Sequence, residues 1–125
     1  MKILLGIAAT GIVTALLLDN FPWWNCGIIA FIVGFALRLK TGPAFIAGFT
    51  SVALTWGILA GWIDAQNASL LSGKIGELFG GLSPFILVII TAIVGGLVGG
   101  FGATTGAQLA NFVLRSKAKA SSTIR

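Results

Sequence analysis

Residues 84–114, PFILVIITAIVGGLVGGFGATTGAQLANFVL, form a long stretch without a single charged side chain. Spanning about 30 Å of hydrocarbon takes roughly 20 apolar residues, so this run reads as a membrane helix. It is longer than one crossing needs, because at 1.5 Å per residue it would reach about 45 Å. Such a segment is expected to tilt, break or project beyond the bilayer.

Three further apolar runs precede it, at 3–18, 23–39 and 43–63. The first two lie near the short limit for a crossing and the third fits comfortably. Lys2 and the small residues Val13-Thr14-Ala15 mimic a signal sequence, but the apolar run continues through Leu18 and reads as a first transmembrane helix. Composition agrees: 57% of residues are hydrophobic and 9% charged, against about 25% charged in soluble domains. The expected fold class is an all-α integral membrane protein, with four transmembrane helices in an antiparallel bundle. Residues 1–115 make one domain and 116–125 a basic cytoplasmic tail that frays into solvent or touches headgroups.

Charge placement sets an expected orientation. With both termini cytoplasmic, the inside collects Lys2, Arg38, Lys40, Arg115, Lys117, Lys119 and Arg125, and the outside holds Lys74, Asp19, Asp64 and Glu77. Seven of the eight basic residues then lie on one side, the pattern of a bacterial-type inner membrane protein. The net charge of +5 follows from topology and calls for no nucleic-acid partner. Trp23, Trp24 and Trp62 fall at outer helix ends, where amphipathic rings anchor at headgroup level. Trp56 sits deeper and reads as a packing or lipid-facing residue.

Turns are legible at Asp19-Asn20-Phe21-Pro22, with Pro22 suited to a first helical turn, at Thr41-Gly42-Pro43, and at Ser83-Pro84, an N-cap and first-turn pair. The outer connection 64–83 places Leu70, Leu71, Ile75, Leu78 and Phe79 at helical spacing, with Ser72, Lys74, Gly76 and Glu77 on the other face. It predicts a short amphipathic helix lying on the outer leaflet or capping the bundle. Gly73, Gly76 and Gly80 oppose that helix.

Half of the twelve positions from Gly95 to Gly106 are glycine. Gly95, Gly99, Gly102 and Gly106 share one narrow stripe, flanked by a ridge of Gly96, Gly100, Ala103, Ala107 and Ala110. In lipid, small-xxx-small ridges let helix backbones approach, so the stripe reads as a close-packed seam, within the bundle or between copies. The other reading is a helix unwound near mid-membrane.

About half a turn away, Thr104, Gln108, Asn111 and Arg115 form a polar stripe. It reads either as a helix end emerging into headgroups or as a cytoplasmic vestibule favouring anions, with Arg38 and Lys117 nearby and Thr10, Thr14, Thr50, Ser51 and Thr55 in its walls.

Catalysis is not expected: the chain has no histidine, and its one cysteine, Cys26, has no partner for a disulfide. No paired carboxylates lie at depth, so neither a metal centre nor a nucleophile with its base can be assembled. No cofactor is called for, although lipid or pigment could sit between helices. The expected partners are the bilayer and either further copies or a larger membrane protein. Two functions follow: a structural, accessory or self-assembling subunit built on the glycine seam, or an oligomeric channel or transporter for a small ion, anions favoured, or solute. Small fluoride channels are the natural comparison for size and glycine content. Their phenylalanine and threonine-serine track is missing here, as is an arginine early in the first helix, so the chain is not assigned to them.

Overall fold

Long apolar runs give the backbone few polar side chains to bond with, so its N–H and C=O groups are satisfied within helices. The computed structural model describes residues 1–17 and 22–124. They form α1 (Lys2–Leu17), α2 (Asn25–Leu37), α3 (Thr41–Gln66), α4 (Leu70–Leu78) and α5 (Pro84–Thr123), with no strand among the described residues. The expected turn at Asp19-Asn20-Phe21, with the outer carboxylate of Asp19, and the basic terminus at Arg125 lie outside them.

Two helices, α3 and α5, are long and apolar enough to cross a membrane. Helices α1 and α2 are apolar but shorter, at 16 and 13 residues, about 24 and 20 Å. The 40-residue α5 is one unbroken helix, so its glycines cause no unwinding. It also absorbs the segment expected to fray: Ser116 to Thr123 is helical, with every side chain exposed. Alanine and lysine alternate there, and both are strong helix formers.

The ends of the helices have identifiable causes. Helix α2 starts at Asn25, later than the sequence suggested, because Pro22, Trp23 and Trp24 make a separate turn in which the Asn25 N–H donates to Pro22 O at 3.0 Å. It stops at Arg38, whose left-handed φ of 51° leads directly into α3. The amphipathic helix expected in the outer connection is α4. Gly80 and Gly81 end it at φ 85° and 90°, a conformation that costs glycine little. The N–H groups of Gly81 and Leu82 then return to Gly76 O at 2.9 and 3.0 Å. Ser83 is extended and Pro84 opens α5, as its fixed φ and missing N–H favour.

Helix α5 packs mainly against α2 and α3, and α1 packs against the same two helices. The interior is built from small side chains, among them Ala30, Ala44, Ala47, Ala107, Thr10 and Ser51. Large apolar residues point outward: Leu4, Leu16, Ile58 and Phe112 are each 70 to 72% exposed. That arrangement inverts the soluble pattern, in which large aliphatic residues fill the core.

Leu39, Ala44, Ala47 and Ala107 cluster with Ile7 and Leu37. The cluster brings the start of α1, the α2–α3 hinge and the later part of α5 to one end of the bundle. Lys2, Arg38, Lys40 and Arg115 are carried to that end.

Candidate functional site

The glycine stripe lies inside the chain. A Cβ on Gly95 would stand 2.7 Å from the Trp56 ring, and one on Gly99 would press on Gly48 O and the Val52 side chain. On the α2 side, Gly102 faces Gly27 O and Gly106 faces Phe31 O, so in both places backbone meets backbone. Reciprocal small residues complete the fit: Gly34 and Gly48 leave no room for a Cβ beside Ala103 and Gly99. Along α3 the contacts step by four residues, with Ala53 against Gly96 and Gly57 against Ala92. Four-residue ridges of this kind bring helices close enough for dispersion to hold them in lipid.

The polar stripe does not gather around a common space. Asn111 is half-buried and its Nδ2 donates to Leu39 O at 3.2 Å, tying α5 to the α2–α3 hinge. Gln108 and Arg115 are exposed. The Thr104 hydroxyl is buried without a partner, as are the Thr14 hydroxyl and the Trp56 indole N–H. Among the other expected vestibule walls Ser51 ties α3 to α1, while Thr55 bonds within its own helix. Ser51 Oγ donates to Ile7 O at 2.7 Å and Thr55 Oγ1 to Ser51 O at 2.9 Å. The carbonyl of α1 engaged by Ser51 thereby fixes the α1–α3 register.

The tryptophans are exposed, at 65% for Trp23, 51% for Trp24 and 66% for Trp62, but they do not share one level. Gly27 lies opposite Val98, and Gly61 opposite Val88. Trp23 and Trp24 therefore sit roughly 10 Å deeper along α5 than Trp62. The signal for this offset is the shortness of the second apolar run, which sequence reading noted without drawing its consequence.

The offset leaves the outer part of the α3–α5 pair without α2 beside it. Leu87 and Thr91 belong to the stripe of α5 that continues through Val98 and Gly102, where it meets α2. Here α4 folds over the pair and partly covers a laterally open cavity of about 480 Å³. Ala60, Ile63, Asp64 and Asn67 of the α3 end, Leu71, Ser72 and Ile75 of α4, Phe79, and Leu87, Val88, Ile90 and Thr91 of α5 line it. Among the described residues Asp64 is the only charged one in the lining. Its carboxylate accepts the Ser69 hydroxyl at 2.8 Å and the Ser72 hydroxyl, which anchors α4 to α3. A carboxylate has about four lone-pair positions, so two such bonds leave acceptor capacity. A second void, about 10 Å³, touches Thr14, Asn25 and Cys26, at the lower limit for one water.

No group of three or more histidine, cysteine or acidic side chains that could hold a metal occurs among the described residues. Comparison with protein-family models, with curated proteins and with solved structures finds no match to this chain.

Proposed function

We propose that this chain is a small polytopic membrane protein that serves as a non-catalytic structural or accessory subunit. In this reading α1, α2, α3 and α5 cross a bacterial-type inner membrane with both termini cytoplasmic, and α4 lies at the outer surface. The observation that carries it is the inverted packing, with alanine, glycine and hydroxyl residues inside and leucine, isoleucine and phenylalanine outside. An apolar exterior of that extent marks a surface made for lipid or another protein. The shortness of α1 and α2 is met by local thinning of the bilayer and by the flanking Arg38 and Lys40 reaching to the headgroups. The final turns of α5 then extend beyond the membrane on the cytoplasmic side, carrying Lys117 and Lys119.

With the glycine face filled by α2 and α3, the surface for self-association or for a larger partner is the outward face of leucines and isoleucines. The channel or transporter reading is weaker, because Asn111 Nδ2 and Ser51 Oγ donate to helix carbonyls. Labelling of single cysteines in a Cys26→Ser background tests the topology. Lys40→Cys and Ser116→Cys should react only from the cytoplasm and Lys74→Cys only from outside; Lys40 and Lys74 reacting from the same side would overturn it. Chloride or fluoride flux through liposomes containing the pure protein would overturn the accessory assignment in favour of a channel.

A further inference from the structure

We propose that the cavity beneath α4 binds a single-tailed amphiphile whose head group is an ammonium. The inference rests on the membrane reading, which places the cavity in the outer leaflet where such a molecule arrives by lateral diffusion. Its volume of about 480 Å³ falls in the range of roughly 300 to 1,000 Å³ typical of small-molecule sites. The walls that descend between α3 and α5, Ala60, Leu87, Val88 and Ile90, are apolar and take the tail.

The head is specified by charge. Asp64 stands among the lining residues near the outer end of α3, and no lysine or arginine lines the cavity among the described residues. Its only hydrogen-bond partners there are two neutral hydroxyls, from Ser69 and Ser72. A carboxylate facing an apolar cavity with no basic neighbour in the lining favours a cationic donor over a neutral or anionic head. Asn67 adds an amide at the same end. The exposed flanks of Ile63, Leu71 and Phe79 leave a lateral opening through which a tail can enter without α4 unfolding. Ser69 and Ser72 tie α4 to the same carboxylate, so a bound ammonium and the cover of the cavity share one anchor.

The test uses the full chain in dodecyl maltoside micelles, titrated separately with hexadecylammonium and hexadecanol, which share a tail and differ in head. Bound ligand is read by native mass spectrometry and the thermal shift in parallel. The ammonium should bind about tenfold more tightly than the alcohol, as expected for one added charge-assisted contact. Asp64→Asn should bring the two affinities within about twofold of each other. Ala60→Phe, which fills the cavity, should weaken both probes at least about tenfold, and Ile90→Trp does the same from the opposite wall where Ala60→Phe does not fold. Equal affinity of the two probes for the natural chain, or a preference that survives Asp64→Asn, overturns the head assignment. Unchanged binding in a folded cavity-filled variant overturns the site. Added lysophosphatidylethanolamine, single-tailed like the probe, that displaces the ammonium probe identifies a membrane lipid as the source of the amine, and failure to displace it identifies a free amphiphile. Because the titration is done in micelles, its failure is separate from failure of the topology, which labelling reads.

Discussion

A methyl group is enough to test the interior. At Gly106 a new Cβ would run into Phe31 O, and at Gly102 into Gly27 O, where neither side is a flexible side chain that could swing away. Gly106→Ala should therefore destabilise the fold by about 1–3 kcal/mol, the usual cost of overpacking, seen as a lower melting temperature in detergent. Gly73 is the opposite case: nothing lies within 4 Å of its would-be Cβ and it sits inside α4. Gly73→Ala should raise stability by about 0.5–1 kcal/mol through helix propensity alone, measured by the same melt. Asn111→Leu removes the bond to Leu39 O and should cost about 0.6 kcal/mol, the average for interhelical hydrogen bonds in membranes. Trp56→Ala should cost more, about 3–5 kcal/mol, because its ring fills the space over Gly95. The glycine spacing was legible in the sequence as a seam. Which helices would meet it was not, since the same four-residue ridge serves equally well within a chain and between chains.

At the scale of elements, hydrophobic runs and turn residues located the helices. Ser83-Pro84 marked the start of α5 and the periodicity of Leu70, Leu71 and Ile75 marked α4, against three glycines that argued for a loop. Two of those glycines turn out to have positional uses: Gly76 admits the Leu82 carbonyl, and Gly80 with Gly81 turns the chain at positive φ. The polarity of the run from Ser116 to Thr123 points to fraying or headgroup contact, whereas propensity and continuity with the helix above keep it helical. Pro22 was misplaced by three residues for a related reason. A proline can open a helix or sit in the turn before it, and here the two tryptophans intervene. Replacing Ala118 and Ala120 together with glycine should lower helical ellipticity and leave the melting temperature of the bundle unchanged, because these side chains are exposed.

At the scale of the whole molecule, the arrangement is a pair of long helices, α3 and α5, partly flanked by a shorter pair, with α4 bridging where the short pair gives out. This asymmetry creates the cavity, and it was hidden from the sequence because apolar runs of similar character report length only approximately and register not at all. Asp64, which reads in sequence as one more outer-loop acid, becomes the charged wall of that cavity only once α4 folds back onto α3. The polar stripe of α5 illustrates the converse. Thr104, Gln108, Asn111 and Arg115 share a face, yet they divide among a buried hydroxyl, a hinge tie and two exposed side chains. The glycine face closes the bundle within one chain, and Gly102→Leu tests this through molar mass by light scattering and thermal melting in the same mild detergent. The substitution should lower the melting temperature by many degrees, or prevent folding, with any folded fraction keeping the oligomeric mass of the natural chain. A smaller oligomeric mass with an unchanged melting temperature would contradict it, because the glycines would then be holding copies together and not the helices of one chain.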